Sequence, residues 1–135
     1  MTDIKIDNKA FEAEVRKLVA ENPDKVYAIP EVWSDEAEGF VEGDSCVYVE
    51  RDQDSGELCG SCLFGQVLVN LGVPAAELEN GYVNKSSIGG LNRKLGLGLD
   101  DRYVSWASAA QRRQDDKMPW RDALAGADQH YPLPK

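Results

Sequence analysis

The sequence predicts a helix-rich α+β domain that carries a small β-hairpin or antiparallel sheet. Several segments repeat apolar residues every three or four positions, as amphipathic helices do, and one short segment concentrates β-forming residues before a turn. A chain of 135 residues can bury its own core, since a domain near this size buries roughly two-thirds of its unfolded surface. We therefore expect one globular domain over residues 1–128 and an extended tail over residues 129–135.

The first predicted element is an amphipathic helix between Asp7 and Asn22. It ends ahead of Pro23, because proline disfavours the helical conformation in the residue before it. Residues 25–29 are predicted as a short extended segment. The apolar positions that follow the helical period are Phe11, Val15, Leu18 and Val19.

A β-hairpin is predicted near the middle of the chain. Residues 46–50 are rich in β-formers and residues 52–56 have the composition of a turn, so the chain is expected to return through residues 57–59. The acidic stretch before this hairpin, from Glu31 onward, is predicted as a loop or a poorly regular element.

The helix that follows Cys62 has the clearest sequence signal. Gly72 lies just past its last apolar residue and Pro74 two positions further, which supplies a left-handed cap and a stop. Two short helices are predicted after it, over residues 75–79 and 87–94. The apolar face of the first helix consists of Leu63, Phe64, Val67, Leu68 and Leu71.

Two longer helices are predicted in the last third of the chain. Asp100 can cap a helix that continues through Arg113, and Pro119 suits the first turn of a final helix. The residues expected to face the core are Tyr103, Trp106, Ala107 and Ala110 in the first of these helices, and Trp120, Ala123, Leu124 and Ala127 in the second.

Charge is distributed unevenly along the chain. The formal net charge is −9, and residues 31–57 alone contain ten acidic residues against one base, Arg51. From residue 81 onward, nine basic residues outnumber six acidic ones. Because nucleic-acid affinity comes largely from neutralising phosphates, the acidic window disfavours direct binding to nucleic acid.

The sequence favours a cytoplasmic protein without membrane association. No apolar stretch approaches the roughly 20 residues of a membrane span, and the first residues lack the basic and apolar regions of a secretory signal. The three cysteines are an odd number, which favours reduced thiols over a disulfide framework.

The motif Cys59-Gly60-Ser61-Cys62 lies where a strand is predicted to give way to a helix. The start of a helix favours a thiolate, so a redox role for Cys59 and Cys62 is one hypothesis. The alternative is that Cys62 is a small buried apolar residue and Cys59 an ordinary strand residue. We favour this alternative, because the chain lacks the βαβ pattern of thioredoxin-like proteins.

Metal and histidine chemistry are both disfavoured. Structural zinc usually takes two close pairs of ligands, and only Cys59 and Cys62 form such a pair, with Cys46 and His130 distant in sequence. His130 is the only histidine and lies in the predicted tail, where a surface position is favoured over a cysteine–histidine catalytic pair. We expect neither a cofactor nor a metal.

The acidic window has two interpretations. It is either a solvated surface or a docking face for a basic partner, where charge complementarity raises the association rate and the selectivity. Trp33 is expected at the core or its edge, as Trp106 and Trp120 are, but of the three it has the best claim to an exposed binding role, because tryptophan commonly anchors interfaces. The residues assigned to this face are Trp33, Asp35, Glu36, Glu38, Glu42 and Asp44.

Four segments of the chain carry a resemblance. Their sequences are NPDKVY (22–27), CVYV (46–49), CLFGQVLVNLGV (62–73) and AAQRRQDDKMPWRDAL (109–124). They resemble a group of small proteins of actinobacteria and their bacteriophages that has no established activity. In that group's pattern a cysteine matches Cys62 and a tryptophan matches Trp120, whereas a histidine often stands in place of Val69 and nothing dependable matches Cys59. The resemblance implies an accessory protein of a phage or an actinobacterium and weakens the dithiol hypothesis.

These observations lead us to expect a non-enzymatic interaction protein. Its acidic region would bind a host or phage protein, in the host cytoplasm if the protein is phage-encoded. The first alternative is a thiol or redox protein that uses Cys59 and Cys62. The second is a DNA-mimicking inhibitor whose carboxylates imitate a row of phosphates. The sequence leaves open whether the chain forms a homodimer.

Overall fold

The computed structural model describes residues 5–27, 31–36, 38–42, 47–51, 54–79, 81–84 and 86–134. Two antiparallel pairs of strands, β1 with β2 and β3 with β4, accompany the helices, and this confirms the predicted helix-rich α+β class. The strands are β1 (Glu31–Ser34), β2 (Gly39–Glu42), β3 (Val49–Arg51) and β4 (Leu58–Gly60). The helices are α1 (Asn8–Glu21), α2 (Leu63–Asn70), α3 (Ala75–Glu79), α4 (Gly81–Asn84), α5 (Ile88–Leu95), α6 (Asp101–Asp115) and α7 (Trp120–His130).

Helix α1 forms where the apolar period predicts it. The carboxylate of Asp7 accepts a hydrogen bond from the N–H of Ala10 at 3.0 Å, which caps the helix. The four predicted apolar residues of α1 are buried. Residues 25–27 after the helix are irregular rather than extended strand, and residues 28 and 29 of the same predicted segment lie outside the described residues.

Strands β1 and β2 form a hairpin in the stretch predicted as a loop, so that prediction is wrong for these residues. The turn lacks the Asn-Gly or Asp-Gly dipeptide that signals a tight hairpin. Glu38 instead adopts the left-handed conformation, with φ of 53°. We call residues 31–42 the acidic hairpin; Ala37 within it lies outside the described residues.

Strands β3 and β4 form the second hairpin, which the sequence predicts, although β3 begins at Val49. Its edge is completed by the side chain of Asn84 in α4, a helix that the sequence did not predict. The amide oxygen of Asn84 accepts hydrogen bonds from the N–H groups of Tyr48 and Val49 at 2.7 and 3.0 Å. Its amide nitrogen donates to the carbonyl of Val49 at 3.0 Å. The side chain of Asn84 therefore makes hydrogen bonds to the backbone of Tyr48 and Val49 of the kind that an adjacent strand would make.

Helix α2 is held at both ends. At its start, the N–H of Leu63 donates to the side-chain oxygen of Gln114, which is fully buried, at 2.8 Å. At its end, Gly72 has the predicted left-handed conformation, with φ of 100°. Between its two ends, α2 packs closely against the backbone of Tyr48, just before β3. The approach is so close that a Cβ at Gly65 would overlap the carbonyl group of Tyr48.

Helices α3, α5, α6 and α7 form where the sequence predicts helices, although Pro119 lies just before the first turn of α7 and Leu124 is only partly buried. Ser87 and Asp100 cap α5 and α6 by accepting backbone hydrogen bonds from Gly90 and Arg102 at 3.1 and 3.2 Å. Helix α6 continues two residues beyond the predicted end, to Asp115. The tryptophans expected in the core, Trp106 and Trp120, are fully buried.

An ion pair joins α1 to α7. Two guanidinium nitrogens of Arg16 donate to the two carboxylate oxygens of Asp128 at 2.9 and 2.8 Å. The indole N–H of Trp106, in α6, donates to the same carboxylate at 3.0 Å. The hydrogen bond from Arg16 and, to a smaller degree, that from Trp106 lower the pKa of Asp128 against the opposing effect of burial. Three helices are thus connected through one carboxylate.

The C-terminal segment differs from the predicted tail. Helix α7 includes residues 129 and 130, so the extended segment begins at Tyr131. This segment is also attached to the fold, because the ammonium group of Lys9 donates to the carbonyl of Pro134 at 2.7 Å and Leu133 packs against the core. Across the described residues, no helix has the length and apolar character that crossing a membrane requires.

Candidate functional site

The acidic hairpin presents exposed carboxylates at its turn. Asp35, Glu36 and Glu38 are all exposed. Within the described part of the chain, Glu36 and Glu38 form no hydrogen bond or ion pair, whereas Asp35 has an interaction. The turn therefore carries at least two carboxylates that no contact among the described residues neutralises.

The other residues assigned to the docking face lie at three different places. Trp33 is in β1, directly opposite Phe40 of β2. Glu42 is the last residue of β2, at the open end of the hairpin. Asp44 lies outside the described residues. The structure thus groups Asp35, Glu36 and Glu38 at one end of the hairpin and separates Glu42 from them by the length of a strand.

The hairpin register pairs residue types of like character. The central pairs, Val32 with Val41 and Trp33 with Phe40, join residue types that favour strands. The terminal pair places two acidic positions, Glu31 and Glu42, directly opposite each other in the backbone register.

The two described cysteines differ in exposure. Cys59 is exposed, and its thiol donates to the carbonyl of Glu50 at 3.5 Å, whereas Cys62 is fully buried. The first helical N–H after the motif, that of Leu63, already donates to Gln114. The neutral amide oxygen of Gln114 therefore accepts a hydrogen bond that the first N–H of the helix could otherwise donate to a thiolate. This contact gives the dithiol hypothesis no additional support.

Metal-binding geometry is not found in the described part of the chain. None of its His, Cys, Asp and Glu side chains form a group of three or more that could hold a metal ion. Of the residues considered for zinc, Cys46 lies outside the described residues, and His130 is exposed at the end of α7.

The sequence did not indicate that His130 lies close to Arg112 and Arg113. These residues line one cavity with Ala109 and Tyr131. They meet only because α7 packs against α6, and they are at least 17 positions apart in sequence. The sequence offered no usable signal, because basic residues in the last turn of a helix are common and His130 was predicted to lie in the tail.

The fold and the surface together define a small helix-rich α+β protein with an acidic hairpin. Comparisons with protein-family models, curated proteins and solved structures give no match for this chain.

Proposed function

We propose that the protein is a non-enzymatic binding protein that docks onto the basic surface of a macromolecular partner through the acidic hairpin. The observation that carries this proposal is the exposed turn, where Glu36 and Glu38 have no ion pair within the described residues. Residues 31–42 contain five acidic residues and no basic one. A partner with complementary charge would therefore meet a surface of a single sign.

The energetics of the hairpin support this assignment. Its turn places the unpaired carboxylates of Glu36 and Glu38 close together at one end of a two-stranded sheet. Like charges repel, and two-stranded hairpins are marginally stable on their own. Sequence features that weaken a local structure without a gain in folding are expected at functional sites. Binding a basic surface would remove the repulsion, so the partner would also stabilise the hairpin.

Charge complementarity would act mainly on the association rate. Opposite charges steer two proteins together and raise the rate constant of association well above that of neutral surfaces, and added salt reduces this effect. Trp33 lies two residues before the turn, and a tryptophan at such a position suits the apolar anchor of an interface.

The partner and the biological setting follow from the resemblance. An accessory protein of an actinobacterium or its phage would act in the bacterial cytoplasm, on a host or phage protein. A DNA-mimicking inhibitor is a special case of the same surface, in which the partner is a nucleic-acid-binding protein and duplex DNA competes for the site.

The proposal is tested by capturing proteins from an actinobacterial lysate with three immobilised chains, namely the wild type, E36K/E38K and E21K/E77K. Glu21 and Glu77 are a matched control, because they too are exposed and form no ion pair within the described residues. Both double variants change the net charge equally.

A partner retained by the wild type and by E21K/E77K, lost from E36K/E38K and released by added salt is the expected result. Release by duplex DNA would identify the special case of DNA mimicry. Equal capture by the two variants would contradict the assignment of the hairpin as the docking surface.

A further inference from the structure

A basic cavity lies between α6 and the end of α7. It has a volume of about 270 Å³ and is lined by Ala109, Arg112, Arg113, His130 and Tyr131. Two guanidinium groups and an imidazole therefore border one concave space, and none of the described carboxylates lines it. This composition is the opposite of that of the acidic hairpin and suits an anion.

The guanidinium groups are held in different ways. Arg113 donates to the carbonyl of Ala109 at 3.0 Å and lies across Gly126, where a Cβ would overlap its Nε. Arg112 is exposed, and its guanidinium group forms no hydrogen bond or ion pair with the described residues. The cavity thus contains one guanidinium positioned by the fold and one with all its donors available to a ligand.

Helix-dipole compensation explains only part of this arrangement. Arg112 and Arg113 stand in the last turn of α6, where positive charge stabilises any helix. Arg93 and Lys94 stand in the equivalent turn of α5, and they line neither this cavity nor the one beside it. Arg112 and Arg113 differ from the α5 pair because the packing of α7 brings His130 to the same cavity, so three nitrogen-bearing side chains border one space that suits an anion.

A second cavity adjoins the first across Tyr131. It measures about 220 Å³ and is lined by Asp101, Arg102, Ser105, Tyr131 and Pro132. Tyr131 is 46% exposed and borders both cavities. Taken singly, each cavity is smaller than the roughly 300–1,000 Å³ typical of small-molecule sites. A ligand that extends past Tyr131 would use both.

Tyr131, which lies between the two cavities, belongs to a backbone segment that is hydrogen-bonded to the rest of the fold at two points. The N–H of Tyr131 donates to the carbonyl of Ala127 at 2.8 Å, and the carbonyl of Pro134 accepts from Lys9 at 2.7 Å. The aromatic ring therefore belongs to a segment with fixed attachments. Such a ring offers a flat apolar face to a planar group, while Asp101 and Ser105 offer hydrogen-bonding atoms to its edge.

We infer that these two cavities form a binding site for a nucleoside monophosphate. The phosphate would lie against Arg112, Arg113 and His130, because guanidinium groups match phosphate oxygens in charge and geometry. The base would stack on Tyr131 and extend toward Asp101 and Ser105 in the second cavity. This site is separate in sequence and in charge from the acidic hairpin, and it does not depend on the function proposed above.

The test is isothermal titration calorimetry of AMP, adenosine and inorganic phosphate with the wild type, R112Q, Y131A and R93Q. Arg93 is the matched control, since it is exposed and also lies in the last turn of a helix. AMP is expected to bind the wild type with a dissociation constant of about 1 mM or below, and adenosine and phosphate each more weakly. Thermal unfolding of each variant checks that it remains folded.

R112Q is expected to weaken AMP binding about tenfold or more, because it removes charge-assisted hydrogen bonds to the phosphate. Y131A is expected to weaken it by a similar factor through lost stacking. R93Q should leave the affinity within about twofold of the wild type. The inference is overturned by AMP binding that R93Q weakens as much as R112Q does, by no detectable AMP binding, or by adenosine or phosphate binding as tightly as AMP.

Discussion

The acidic hairpin and the helices that pack around Trp106 use their charges in different ways. We call α1, α2, α6 and α7 the helical body. In the helical body, Arg16 forms an ion pair with Asp128, and the indole N–H of Trp106 donates to the same carboxylate. In the acidic hairpin, Glu36 and Glu38 have no partner within the described residues. Charge stabilises the first region, whereas the turn carboxylates of the second region contribute no ion pair to the fold.

This difference separates residues that maintain the fold from residues available for binding. Substitutions in the helical body should change the free energy of unfolding, whereas substitutions at the hairpin turn should change partner binding and leave stability nearly intact. The four variants below test this division in order of decreasing effect on stability.

The largest effect is expected from G65A in the helical body. The added Cβ would overlap the carbonyl group of Tyr48, and a backbone contact of this kind can be relieved only by moving α2 away from the segment before β3. We expect a loss of about 3 kcal/mol in the free energy of unfolding, measured by urea denaturation.

The matched control for G65A is G89A in α5. A Cβ at Gly89 would make only ordinary contacts with Val104 and Arg93, at 3.6 and 3.8 Å. G89A should therefore be neutral or stabilising by up to about 1 kcal/mol, because alanine favours a helix more than glycine does. Equal destabilisation by both substitutions would show that the contact with Tyr48 is not the cause.

The second effect is expected from Q114L, which removes the acceptor for the N–H of Leu63. The leucine preserves approximate volume in the core but leaves this helical N–H without its partner. An unsatisfied buried donor costs about 1–3 kcal/mol, so we expect a loss within that range by urea denaturation. An unchanged free energy of unfolding would mean that another group satisfies this N–H.

The third effect is expected from D128N and depends on pH. The pKa of Asp128 is lowered, first by the hydrogen bond from Arg16, so its charged form stabilises the folded state. That stabilisation is complete above the unfolded pKa of about 3.9 and is lost as the pH falls through the lower folded pKa. The side chains of Arg16 and Asp128 are each more than a third exposed, at 40% and 38%. Solvent screening therefore limits the loss in free energy of unfolding that D128N is expected to cause at neutral pH. We expect about 1 kcal/mol.

Unfolding of D128N and the wild type at several pH values tests this expectation, and the difference between them should shrink below pH ~4. D24N is the matched control, because the Arg121–Asp24 pair is 2.8 Å apart but 61% and 77% exposed and receives no indole hydrogen bond. Its loss should be smaller, about 0.3 kcal/mol. A larger loss from D24N would contradict the role given to the Trp106 contact.

The sequence predicted the elements whose signals are local. Gly72 at the end of α2 and Asp100 at the start of α6 act on residues beside them, so their roles follow from their neighbours in the chain. Gly65 and Gln114 were missed because their partners, Tyr48 and Leu63, are 17 and 51 residues away. The structural role of such residues is visible only once the folded chain brings their partners next to them.

The candidate sites follow the same division. The acidic composition of the hairpin was visible as a run of charge, but its strands were missed because the turn relies on Glu38 at a positive φ rather than on glycine or asparagine. The basic cavity was missed altogether. Arg112 and Arg113 have the pattern of ordinary residues at a helix end, and His130 was predicted to lie in a tail.

The smallest effect on stability is expected from E36K/E38K, a variant that distinguishes a binding role of the two turn carboxylates from a role in folding. Its free energy of unfolding and its capture of the partner should be measured together with those of the wild type and E21K/E77K. We expect a change in stability of no more than about 0.5 kcal/mol together with loss of the partner. A clear loss of stability with capture unchanged would contradict this expectation, because the two carboxylates would then serve the fold and not a binding surface.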